Sequence, residues 1–82
     1  MTVSAYIFFE IKLGKTQEVI DQLRKIPEIV SVAVVTGEYD VIAKVIVENL
    51  EELFEIASQR IHMIEGIEDT QTAVVEKEVL IE

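Results

Sequence analysis

Cysteine is absent from the 82 residues. That removes disulfides and thiolate metal sites, the usual staples of a chain this short. Histidine occurs once, as His62. With no second soft donor beside it, no metal site is expected, and His62 reads as a solvent-facing group at a helix end. Basic residues are scarce: 7 Lys and Arg stand against 16 Asp and Glu, a formal charge of −9. A nucleic-acid binder needs a basic stripe and an anionic membrane attracts basic patches, so neither is expected as a direct partner. No apolar run approaches the ~20 residues of a membrane span, and the N-terminus lacks the basic start and apolar core of a signal peptide. A soluble, cytoplasmic chain is the expectation.

Groupings that carry catalysis are also missing. Ser4, Ser31 and Ser58 have no histidine placed to activate them. Gly14-Lys15-Thr16 resembles the end of a phosphate-binding loop, but the upstream glycine is lacking. Nearly all carboxylates fall on solvent-facing helix positions or termini. No enzyme and no cofactor are expected. The length allows one domain, residues 1–82, and such a chain buries only about 60–65% of its unfolded surface. Oligomerisation is the staple that remains.

What is present is strong periodicity. From Ser4 to Leu13 the chain alternates, with Ala5, Ile7, Phe9, Ile11 and Leu13 on one face and Tyr6, Phe8, Glu10 and Lys12 on the other. From Thr16, a plausible N-cap, the spacing of Val19, Ile20, Leu23 and Ile26 predicts an amphipathic helix that Pro27 stops. Ile29 to Thr36 and Val41 to Val47 predict two strands, with Lys44 the one interior charge of the second. Asn49 followed by Glu52 predicts a capping box. The helix after it carries Leu50, Leu53, Phe54, Ala57, Ile61 and Ile64 as its stripe and ends at Gly66. Ile67 to Glu76 predicts a fourth strand, and Val79 to Ile81 a short edge piece.

The order β-α-β-β-α-β, with a right-handed crossover in each half, predicts an α+β ferredoxin-like sandwich: a four-stranded antiparallel sheet with both helices on one face. A sheet covered on one side should alternate cleanly between apolar and polar. Here both faces are apolar. Val30, Val32 and Val34 oppose Ala33 and Val35; Val41, Ala43, Val45 and Val47 oppose Ile42 and Ile46; Tyr6 and Phe8 oppose Ile7 and Phe9. Two helices cover one face only, and the patch left over exceeds what monomers usually expose. A second copy packed sheet to sheet, giving a dimeric α/β barrel, is the expected solution.

Between the second and third strands lies Thr36-Gly37-Glu38-Tyr39-Asp40. It reads as a hairpin turn and, beyond that, as a place where the N–H groups of Gly37, Glu38 and Tyr39 can form an anion-holding concavity. Asp40 then offers a partner for an ammonium group, a pairing that suits a zwitterion such as a free amino acid. Thr70 and Thr72 share a face of the fourth strand, either as ordinary strand threonines or as additional hydroxyls for a ligand.

The run Val35-Thr36-Gly37-Glu38-Tyr39-Asp40 resembles the signature of the ligand-sensing domain of the Lrp/AsnC family, the RAM domain (regulation of amino acid metabolism). Ile26-Pro27-Glu28-Ile29-Val30 and Ile64-Glu65-Gly66-Ile67-Glu68-Asp69-Thr70-Gln71-Thr72 fit the same pattern. The resemblance implies a stand-alone RAM protein without the helix-turn-helix domain of full-length members. It also implies dimers that assemble into rings, commonly octamers, with amino-acid effectors held where dimers meet. By position, Gly37, Glu38, Tyr39 and Asp40 would hold the ligand's amino and carboxylate groups, with Thr70 and Thr72 near the same pocket. The implied function is transcription regulation through amino-acid binding, alone or in co-assembly with full-length Lrp/AsnC paralogues. The alternative is a ligand-independent assembly partner of those paralogues.

Overall fold

The computed structural model describes residues 2–82. Four strands form one antiparallel sheet: β1 (Val3–Ile11), β2 (Ile29–Val34), β3 (Val41–Val47) and β4 (Ile67–Val74), in the spatial order β2-β3-β1-β4. Helix α1 (Thr16–Leu23) joins β1 to β2. Helix α2 (Leu50–Glu55), continued by a π-helical turn over Ile56–Ile61, joins β3 to β4. This is the ferredoxin-like arrangement that the periodicity predicts.

The inward row of β1 is Ala5, Ile7, Phe9 and Ile11, all buried, and the facing row of β3, Val41, Ala43 and Val45 opposite Phe9, Ile7 and Ala5 and Val47 opposite Val3, is equally buried. Val19 and Leu23 of α1, Ile26, and Leu53, Ile56 and Ile61 close over them. Leu13, expected on this face, is instead fully exposed. The chain leaves the sheet after Ile11 and turns through Gly14 (φ 82°), so Leu13 sits in a connection rather than on the pleat.

That early turn also moves the start of α1. Lys15 occupies the N-cap, its side chain makes no capping bond, and Thr16 is the first helical residue rather than the cap. The helix ends at Leu23, four residues before Pro27. Tight turns (Lys25 N–H to Gln22 O, Ile26 N–H to Leu23 O) carry the chain out while keeping Ile26 buried. The second helix starts as expected. Asn49 Oδ1 accepts from the Glu52 N–H at 2.8 Å, while the Glu52 carboxylate accepts at 3.2 Å from the N–H of Glu48, one residue before the cap, rather than from that of Asn49 as a full capping box has it.

The expected apolar stripe of this segment is only half right. Ile56, three residues after Leu53 and on the same helical face, is buried with Leu53 and Ile61, whereas Leu50 and Phe54 are exposed. Beyond Glu55 the turn widens: His62 N–H donates to Ala57 O, five residues back, at 3.1 Å. Gly66 lies past the helix, at the entry to β4. A side chain there would meet Lys15 Cβ at 3.0 Å and Val19 Cγ2 at 3.2 Å, and the backbone is at φ 102°. Glycine is needed for that close approach to α1, not as the cap next to the helix.

β2 carries a bulge. Ile29 pairs with Val45 but Ser31 pairs with Lys44, so Val30 is the extra residue and stands half-exposed. Ile29 therefore takes the inward place expected for Val30, while Val32 packs against the core. Val34 keeps the inward register, opposite Val41, but remains exposed at the sheet edge. Val79–Ile81 form no strand within the subunit. Among the described residues, no helix is long and apolar enough to cross a membrane.

Candidate functional site

The turn between β2 and β3 is held at both ends. Val35 N–H donates to Asp40 O at 2.9 Å, closing a four-residue loop from Thr36 to Tyr39, and Gly37 adopts φ 144°, a conformation that favours glycine. Beyond the loop, Asp40 N–H donates to Phe9 O at 2.9 Å and Asp40 Oδ2 accepts from the Ile11 N–H at 2.8 Å. The β1–β3 ladder stops at the pair Phe9 and Val41. The carboxylate thus stands in for the strand carbonyl that Ile11 would otherwise meet. Asp40 is a structural stitch first, with its other oxygen left for any further partner.

Tyr39 fixes the far side of the loop. Its ring lies against Phe8, centroids 5.4 Å apart and tilted by 48°, and its hydroxyl hydrogen-bonds the Gln71 side chain on β4. Desolvation, then the carboxylates of Glu38, Asp69 and Glu10, hold the phenol above its ordinary value. Glu10 and Asp69 are direct register partners across β1 and β4. The rim of the turn is therefore acidic, a field that attracts an ammonium group. Among the described residues, the N–H groups of Gly37, Glu38 and Tyr39 donate to no protein acceptor. The space beside Gly37 is open, with nothing within 4 Å of the position a Cβ would take.

The loop opens onto the sheet face that the helices leave bare. Register puts Phe8 opposite Ile42, Tyr6 opposite Lys44, and Ser4 opposite Ile46 on that face, with Ala33 alongside Ile42. Tyr6, Phe8 and Ile42 are half-buried and Ile46 is exposed. Lys44, the one charge read within its strand, stands 5.7 Å above the Tyr6 ring and 3.5 Å from the Glu78 carboxylate. Two opposite interactions make a lysine tolerable in an otherwise apolar row.

Thr70 and Thr72 are placed elsewhere. They pair with Phe9 and Ile7, which makes them members of the helix-side face of β4, whereas Gln71 pairs with Phe8 on the open face. Within one subunit the structure joins Tyr39 to Gln71 and leaves both threonines on the other side of the sheet. Thr70 lines a shallow cavity of about 250 Å³ with His62, Ile67, Glu68 and Asp69. Gln71 is the residue that sequence reasoning missed. Its parity, one off from the threonines and matching Phe8, was available in the alternation, but only the β1–β4 register reveals its partner.

The Lrp/AsnC ligand binding domain model matches residues 4–82. The HTH-type transcriptional regulator FL11 of Pyrococcus furiosus is 41% identical over 75 residues, 92% of this chain and 49% of the regulator. FL11 of Pyrococcus horikoshii is 42% identical over 73 residues, 89% of this chain and 48% of its own length. The chain thus spans about half the length of these regulators. Among solved structures, a hypothetical protein from P. horikoshii superposes with a TM-score of 0.85 at 34% identity, covering 93% of this chain and 92% of that one. A transcriptional regulator from Neisseria meningitidis, solved as a complex with L-Met, shares the fold at a TM-score of 0.89 and 23% identity. It covers 96% of this chain and 53% of that one.

Proposed function

The chain belongs to the Lrp/AsnC ligand-binding domain family, and on that footing we propose that it is a non-enzymatic, cytoplasmic sensing domain for a free amino acid. One observation carries this reading within the molecule. The Thr36–Tyr39 loop is pinned through Asp40 and Tyr39, yet its amides have no acceptor and its glycine borders open space. A rim held rigid without a protein partner is what preorganised recognition requires. The amides suit a carboxylate, and the carboxylates of Glu38, Glu10 and Asp69 suit the ammonium at the other end of the same zwitterion. That the N. meningitidis regulator of this fold is a complex with L-Met agrees with a ligand of this class.

The site is open in a single subunit, and completing it falls to neighbours. The bare apolar face of the sheet packs on a second copy, forming a dimer, and dimers meet at the turns to build a ring. Thr70 and Thr72, on the other side of the sheet from their own Tyr39, belong to the pocket only where a neighbouring subunit brings them to it. A ligand bound at such a seam shifts assembly by its differential affinity for the ring that completes the site. The readout is the state of this chain's own assembly, or of Lrp/AsnC regulators with which it co-assembles.

Calorimetric titration with each of the twenty amino acids, paired with sedimentation of the same samples, tests this. Heat and a change in assembly mass for one or a few amino acids are expected. No heat and an unchanged mass with all twenty overturn the sensing role and leave the ligand-independent assembly partner. Glu38→Gln is the variant to pair with the titration, because Glu38 faces solvent and carries no structural bond. Asp40→Ala is a poor choice: it also removes the acceptor for the Ile11 amide.

A further inference from the structure

The C-terminal segment takes a route that the proposed dimer explains. At Val75 the chain still runs beside β1, its N–H donating to Ser4 O at 2.9 Å. Three residues later the Glu78 carboxylate meets Lys44 of β3, one strand further in, at 3.5 Å. Lys44 stands over the Tyr6 ring on the bare face. The segment after β4 therefore turns in over that face. Glu76, Lys77 and Glu78 are at home in water, but Val79, Leu80 and Ile81 follow, with 65%, 87% and 92% of their surfaces exposed. Three consecutive large apolar side chains are left uncovered directly after the residue that reaches the bare face, where Phe8 and Ile42 are half-buried and Ile46 is exposed.

A two-fold pairing of this chain with itself resolves both at once. Each copy presents an apolar face and an apolar tail on the same side. In an isologous contact each tail lies against the other copy, and every donor meets a receptor. We propose that Val79–Ile81 is an exchanged strap: it crosses the dimer interface and packs on the second copy, with the Glu78–Lys44 ion pair steering it off its own sheet edge. This rests on the dimer of the proposed function but not on amino-acid binding.

The test compares the full chain with a version ending at Glu78 and with Leu80→Asp, using sedimentation over a dilution series. Both changes are expected to raise the dimer dissociation constant by about a hundredfold or more, as loss of several buried apolar side chains implies, while circular dichroism of the dilute protein stays that of the folded subunit. A dissociation constant within about twofold of the full chain's overturns the strap and leaves the dimer standing. A full chain that is monomeric throughout overturns both. Because the sequence has no cysteine, Leu80→Cys carrying a benzophenone gives a single crosslinking site and a check that does not depend on affinity. Photoproducts of doubled mass support the exchange. Products confined to one chain mean that the tail folds back on its own sheet, and they overturn it. Amino-acid titration heats bear on neither result.

Discussion

Phe8 and Phe9 are neighbours in sequence and face opposite ways across one sheet, and the contrast between them organises the molecule. Phe9 is completely buried under both helices; Phe8 is half-buried, touching the Tyr39 ring and otherwise open. The face of Phe9 makes the subunit fold. The face of Phe8 is left without cover, and the turn that carries the candidate site lays its Tyr39 ring there while Asp40 ties it to the β1 backbone at Phe9 and Ile11. Burial and exposure are thus divided between the odd and even positions of a single strand.

The sharpest way to break that division is to truncate both rings. Phe9→Ala is expected to lower subunit stability by about 3–5 kcal/mol, the usual range for emptying a buried aromatic site. A small domain holds about 5–15 kcal/mol in total, so at the low end of that range the loss approaches the whole. Phe8→Ala is expected to cost less than about 1.5 kcal/mol in dilute protein, since much of its surface is already wet. Urea unfolding at low and high protein concentration separates the two. On the proposed dimer the Phe8→Ala deficit grows with concentration, whereas the Phe9→Ala deficit does not. Equal losses at every concentration would mean that the two faces do the same job.

Asp40→Ala comes next in size. It leaves the Ile11 N–H without its charged acceptor, and a hydrogen bond of that kind contributes about 1.5–3 kcal/mol. Because Asp40 is half-buried, the lower end of that range is expected. The midpoint of urea unfolding measures it. A loss near zero would mean that the carboxylate is free for a ligand and that the turn does not depend on it.

Much of this was legible beforehand, and the limits have physical causes. Alternation told which residues of β1 and β3 share a face, and the apolar character of both faces told that the helices would leave one apolar face bare. Alternation alone does not count an extra residue, so the bulge at Val30 moved Ile29 inward unannounced. It does not fix the rotation of a helix about its axis either, so Ile56 is buried where Leu50 and Phe54 were expected. At the site, the turn was visible from Gly37 and the polar break around it. The Tyr39–Gln71 contact was not, because it spans 32 positions of sequence and depends on the β1–β4 register. The same register separates Thr70 and Thr72 from Tyr39 within the subunit, a relation no local pattern encodes.

The smallest effect expected is the most specific to the bare face. Tyr39 holds its phenolic proton more tightly when folded than when unfolded, because desolvation and the carboxylates of Glu38, Asp69 and Glu10 disfavour the phenolate. The unfolded chain thus ionises first as pH rises past about 10, and each proton it releases draws the equilibrium away from the folded state. Whatever Tyr39 contributes through Gln71 is fully present below that pH and declines above it. A phenolate also has no proton left to donate to Gln71 Oε1. Tyr39→Phe lacks both the hydroxyl and its titration. The stability gap between the native chain and Tyr39→Phe, measured by urea unfolding from pH 8 upward, should therefore hold steady to about pH 9–10 and shrink beyond. A gap that stays constant into the alkaline range would show that the hydroxyl is not poised among those carboxylates. The bare face would then differ from the covered one in exposure alone.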